Sequence, residues 1–173
     1  MAGCLSARCL DDTDHAQAER DSEMMLLVVG DAPDKWNDLG RFWNMQPGKH
    51  DVCCINRAGL TYPCNFKFWV SWHADQLWEL AKQRSGPSLW SCRNHPGVNH
   101  AAIPHTRGSS AMVAVQLGLH VWNYDRVVLA GCPLSGSYQH YVEHWQVLTG
   151  ENVRSMSGNT AELLGEPDKQ FIQ

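Results

Sequence analysis

Short apolar runs that stop abruptly at turn residues constrain this fold more than any other feature of the sequence. Arg126–Ala130 is the clearest, apolar from Val127 onward and closed by Gly131. Met24–Val29 ends the same way at Gly30, and Asp51–Ile55 ends at Asn56-Arg57-Ala58-Gly59. Residues apolar at consecutive rather than alternate positions suit a strand covered on both faces, as in a parallel sheet. Phe66–Trp72, rich in aromatic and β-branched residues, reads as a further strand, and Ser88–Cys92 and Val153–Met156 as shorter ones.

The intervening segments carry helical signals. Asp34–Asn44 places Trp36, Leu39, Phe42 and Trp43 on one side. Ala74–Arg84 carries Ala74, Leu77, Trp78 and Ala81 at i, i+3, i+4 and i+7, and Ser85-Gly86-Pro87 stops it. Ser110–Trp122 is almost wholly apolar, so it is expected to be buried, with Asn123 as a left-handed cap. Tyr138–Leu148 reads as a helix. Asn159 and Glu162 form a capping box for a last helix ending near Gly165. Strands alternating with helices predict a three-layer, Rossmann-like α/β domain over residues 23–173 with a mostly parallel sheet. Residues 1–22 are polar, acidic and aperiodic, and are read as a flexible leader.

A chain of 173 residues buries enough surface to fold without a disulfide or a metal. The net charge of −4, with no run of Lys or Arg, argues against a strong nucleic-acid footprint. No apolar stretch approaches the roughly 18 residues of a membrane span, and no signal-peptide pattern opens the chain. Seven irregularly spaced cysteines read as reduced thiols of a cytoplasmic protein. Eight tryptophans are expected mostly in the core or in pocket walls.

In open α/β sheets the ligand lies beyond the carboxyl ends of the strands, where strand order reverses. That rule selects Gly30–Asp34, Asn56–Gly59, Trp72–Asp75, His95–Ser110, Gly131–Tyr138 and Ser155–Ser157. Gly30 and Asp31 leave the first strand for a helix start that offers N–H groups to an anion, while Asp34 is equally an ordinary N-cap. Ser109 and Ser110 open the buried helix, with Arg107 beside them as counter-charge. His73, next to Asp75, is the best-placed general base. Cys132 is a nucleophile or, more simply, a small buried side chain. Cys92, His95, His100 and His105 match no common zinc spacing, so no metal is assigned. His140 and His144 read as a solvated helix face. GxGxxG, P-loop, GxSxG and HExxH signatures are missing, which disfavours ordinary dehydrogenases, P-loop kinases, serine hydrolases and zincins.

These residues resemble a Rossmann-like group that includes small bacterial sialyltransferases and archaeal 6-hydroxymethylpterin pyrophosphokinase-like proteins. The resemblance rests on Gly30-Asp31-Ala32-Pro33-Asp34 as the first turn, Asn56 closing the second strand, Ser109-Ser110-Ala111 opening a buried helix, and Tyr124–Pro133. The Ser-Met-Ser-Gly stretch near residue 155 is similar to one in phage and prophage proteins. Ala32, Asp34 and Pro133 depart from the group's pattern. The resemblance implies a nucleotide site lined by Gly30, Asn56, Ser109, Ser110 and Gly131, with Tyr138 or Tyr141 at the phosphate. The expected function is a nucleotide-dependent, glycosyltransferase-like transferase using a nucleotide sugar donor, with His73 and Arg107 catalytic. A non-catalytic nucleotide or metabolite binder is the alternative. A third reading is an interaction protein with a Trp36/Trp43/Trp90 patch, and a homo-oligomer stays open.

Overall fold

The structure is a computed structural model that describes residues 23–104, 107 and 109–173. The leader expected at 1–22, and His105, lie outside the described residues. The apolar runs become the strands β1 (Met25–Val29), β2 (His50–Ile55), β3 (Phe68–Val70), β4 (Ser88–Ser91), β5 (Asn99–His100), β6 (Arg126–Ala130) and β7 (Val153–Ser155). They form one parallel sheet in the order β5-β4-β3-β2-β1-β6-β7. The helices are α1 (Lys35–Asn44), α2 (Ala58–Thr61), α3 (Ala74–Ala81), α4 (Ser110–His120), α5 (Val142–Trp145), α6 (Gly158–Leu164) and α7 (Lys169–Ile172). The result is a three-layer, Rossmann-like α/β fold.

Alternate residues along each central strand feed opposite cores, which explains why the runs are apolar throughout. Leu26, Val28, Cys53, Ile55, Phe68, Val70, Val127 and Leu129 face α4, Trp145 and Leu148. Met25, Leu27, Val29, Cys54, Trp69, Val128 and Ala130 face Leu39, Phe42, Leu77 and Ile172. The larger aliphatic and Phe side chains among these each contribute about 1.5–3 kcal/mol through burial. α4 is buried from Ser110 to Gly118, as its composition requires.

Some local expectations are corrected. The buried face of α1 is Lys35, Asp38, Leu39 and Phe42, while Trp36 and Trp43 are exposed. The two polar residues displace tryptophan because they satisfy groups of neighbouring loops. Trp90 packs on the α4 side of the sheet, against Trp122, so no Trp36/Trp43/Trp90 patch exists. Tyr138–Leu148 is broken into a 3₁₀ turn (Gly136–Tyr141), α5, and a second 3₁₀ turn (Gln146–Leu148). Asn159 does not cap α6. It lies inside the helix, where its Nδ2 donates to Leu134 O at 2.8 Å.

β1 neighbours both β2 and β6, so strand order reverses there. The chain crosses this point on two glycines. A Cβ on Gly30 would lie 2.1 Å from Gly131 O and 2.6 Å from Cys132 Sγ. Gly131 itself has φ +65°, and a Cβ there would meet Lys35 Cβ at 2.5 Å. At the opposite end of the sheet, Asp51 accepts hydrogen bonds from Lys67 Nζ at 2.6 Å and from the Tyr124 hydroxyl. Burial pushes the Asp51 carboxyl up, but these two bonds outweigh it and hold the group below its usual 3.8.

Gly30→Ala is expected to destabilise the fold by about 2 kcal/mol through overpacking against rigid backbone. Thermal denaturation should then shift down by roughly 4–8 °C. Gly40→Ala, mid-helix with open space at its Cβ, should instead stabilise by about 0.5–1 kcal/mol. A depressed carboxylate stabilises the native state above its unfolded pKa and loses that contribution as pH falls through the native value. Urea titrations across pH 5 to 2 should therefore show an acid-side loss of up to about 1 kcal/mol that Asp51→Asn removes.

Candidate functional site

The turns after β1, β2 and β6 converge with the start of α4 on one cavity of about 490 Å³. Its walls are Asp31–Pro33, Ile55–Arg57, Ser109–Ala111 and Gly131–Tyr138. This is the reversal point of the sheet, where open α/β folds leave a crevice.

Asn56 shapes the floor. It has φ +48°, a left-handed conformation that asparagine tolerates better than most residues. Trp69 Nε1 donates to its carbonyl at 2.7 Å, and its own N–H donates to Val70 O at 3.0 Å. Ser110 Oγ accepts the Trp72 N–H at 2.9 Å and donates to Asn56 Oδ1 at 3.0 Å. That chain of bonds fixes the amide orientation and leaves Asn56 Nδ2 without a partner among the described residues. Ser109 precedes α4 in extended conformation, and its side chain makes no capping bond. It is buried on the cavity wall, next to first-turn N–H groups that have no intrahelical acceptor. Hydroxyl, amide and helix N-terminus together suit an anion.

A second set of bonds holds the wall after β6. Asp38 Oδ2 accepts the Gly131 N–H at 2.8 Å and the Ser157 hydroxyl at 2.6 Å. Thr160 Oγ1 donates to Cys132 O at 2.8 Å and bonds Ser155 Oγ at 2.7 Å. Leu134 is left-handed at φ +48°, and the Asn159 amide secures its carbonyl. Strained, over-determined backbone of this kind is typical of a site wall. Ser155–Ser157 therefore supports the cavity from behind and does not line it.

Among the described residues, the charges on the cavity wall are Asp31 and Arg57. Lys35 Nζ, almost buried, donates to Asp31 Oδ1 and to Thr61 Oγ1 at 2.8 Å. Asp31, Asn56, Ser109, Ser110, Gly131 and Tyr138 all reach the cavity wall, as expected. Gly131 does so with its backbone committed, its N–H to Asp38 and its carbonyl to Ala32 N. Gly30 lies behind it as a close-contact residue.

The remaining candidates fall elsewhere. His73 and Asp75 are exposed at the start of α3, off the cavity wall. Arg107 is exposed and does not line it either. Tyr141 is half-buried on the core, its ring 3.9 Å from that of His140. His95 sits against Trp78, with ring centroids 5.9 Å apart. Among the described residues, no cluster of three or more His, Cys, Asp or Glu is arranged to hold a metal. Sequence reasoning missed Lys35, Asp38 and Arg57. Arg57 stood inside a selected turn. Lys35 and Asp38 carried a detectable signal, being polar residues in phase with Leu39 and Phe42.

No known family, no curated protein and no solved structure matches this chain. No helix among the described residues is long and apolar enough to cross a membrane.

Cys132 lies on the cavity wall but is only 7% exposed. Burial and the nearby Asp38 carboxylate push its thiol up to about 12. It is almost wholly protonated at neutral pH and therefore a poor nucleophile. In the native protein at pH 7.5, iodoacetamide should label exposed Cys64 at least tenfold faster than Cys132, as read by peptide mass spectrometry. Equal rates would refute this protection.

Proposed function

We propose that the chain is a nucleotide-dependent transferase of glycosyltransferase-like chemistry that holds its donor in the cavity beyond β1, β2 and β6. The observation that carries this reading is the grouping of Asn56 Nδ2, the Ser109 hydroxyl and the α4 N-terminus with one guanidinium, Arg57. These donors suit the phosphate of a nucleotide, and exposed Tyr138 offers a ring for its base.

Arg57 takes the counter-charge role expected of Arg107, because it lines the cavity. Asp31 takes the general-base role expected of His73, as the one carboxylate on that wall among the described residues. In the transfer step Asp31 Oδ2 accepts the proton of an acceptor hydroxyl. The acceptor oxygen bonds to the sugar's anomeric carbon as the bond from that carbon to the phosphate oxygen breaks. The nucleotide leaves with the bonding electron pair, and its charge is met by Arg57 and the helix start. A second reading, binding without turnover, is favoured by one observation: Lys35 already occupies Asp31 Oδ1.

Calorimetry with a panel of nucleotides and nucleotide sugars tests the site. Arg57→Ala should weaken binding about tenfold or more, the loss of one charge-assisted hydrogen bond. Its circular dichroism should not change, because Arg57 is exposed. Asp31→Asn should keep donor binding and lower turnover about 100-fold or more, measured by mass spectrometry of the released nucleotide. Donor binding with no release by the native chain selects the second reading. Absence of any nucleotide binding rejects both.

A further inference from the structure

α1 carries a feature that neither core nor cavity uses. Trp36 and Trp43 are 47% and 42% exposed, although each is an expensive group to leave in water. They lie seven residues apart, hence on one face, about 10 Å apart along the axis. Gly40 stands between them with open space where a Cβ would be. Neither indole stacks on another ring among the described residues. Trp78, by contrast, is engaged by Gly97 and His95.

The chemistry of the face is uniform. Its exposed neighbours Asn37 and Asn44 are uncharged amides. Arg41 turns away, donating to Met156 O at 2.6 Å and pairing with Glu166. Lys35 is buried against Asp31. A nucleic acid or an acidic partner requires cations that this face does not present among the described residues. Flat aromatic faces flanked by neutral hydrogen-bonding groups instead complement a neutral, polyhydroxylated ring, which has an apolar C–H face and a polar rim.

We propose that the outer face of α1 binds a neutral oligosaccharide, with Trp36 and Trp43 each stacking on a pyranose ring and the chain passing over Gly40. The face begins where one cavity wall ends, since Asp31–Pro33 lead directly into α1. The Trp36 ring lies 5.3 Å from Lys35 Nζ, which in turn holds Asp31 on the cavity wall. A glycan on this face is the candidate acceptor for the Asp31 site. That role rests on the transferase reading, whereas the stacking does not.

The test titrates the full chain with maltohexaose, cellohexaose and chitohexaose by calorimetry. At least one should bind, Trp36→Ala and Trp43→Ala should each weaken it at least fivefold, and the double variant should abolish it. Thermal midpoints of the variants should match that of the native chain, since both rings are exposed. No binding of any of the three, or binding indifferent to both substitutions, overturns the proposal. So does a dimer in light scattering that becomes a monomer in the variants, because the face would then be a contact with a second copy. Nucleotide binding by the same proteins is a separate readout, and its failure counts against the cavity reading alone.

Discussion

The crossing of two backbones between β1 and β6 is the constraint on which the rest of this molecule depends. Gly30 and Gly131 meet with no room for a side chain on either. Close approach leaves the Gly131 N–H pointing away from the sheet, where an unpaired donor would cost about 1–3 kcal/mol. Asp38 removes that cost by accepting it, and the same oxygen accepts the Ser157 hydroxyl. One carboxylate on α1 thereby fixes the turn after β6 and the turn after β7. The turn after β6, held in this way, forms one wall of the cavity.

The wall after β6 illustrates the same logic further out. Leu134 holds a backbone conformation that a branched side chain avoids, at a cost of about 1–3 kcal/mol. Asn159 and Thr160, in the first turn of α6, bind the carbonyls on either side of the bend. Beyond that clamp, the Gly136–Tyr141 turn buries none of its residues. The cavity therefore has one side built from α4 and Asn56, and one side formed by an exposed turn whose far end, Tyr141, packs on the core.

The strands were legible in the sequence because burial on both faces makes each run apolar at consecutive positions, and the turn residues end them visibly. The reversal point followed from the chain order of those strands. What was not legible is which polar residue of a turn reaches the cavity. Arg57 and Arg107 both stand in loops at strand ends, and only the path of the chain separates them. His73 sits one residue before α3, yet the helix carries it into solvent. The face of α1 was misread because tryptophan was weighted as core. Lys35 and Asp38 instead share the buried phase with Leu39 and Phe42, since each satisfies a loop atom that no apolar side chain could. β5 was invisible for a different reason. Two residues carry no period, and their pairing with β4 depends on the turn at His95–Val98.

The charge arrangement around the cavity argues for a modest rather than a heavily anionic ligand. Lys35 is spent on Asp31, which leaves Arg57 as the uncommitted cation of the wall among the described residues. A helix N-terminus is worth roughly half a charge, less screened here because α4 is buried to Gly118. Together they balance little more than a single phosphate negative charge, and the Asp31 carboxylate opposes any second one nearby. A highly phosphorylated ligand would face an uncompensated carboxylate at the rim, whereas a ligand carrying one phosphate and a neutral, hydroxyl-rich remainder would meet Ser135, Ser137 and Asp31 as hydrogen-bonding partners. Under the proposed transferase reading, the carboxylate that limits anionic charge is also the one assigned the acceptor's proton, so selectivity and reactivity would draw on one residue, held in place by Lys35.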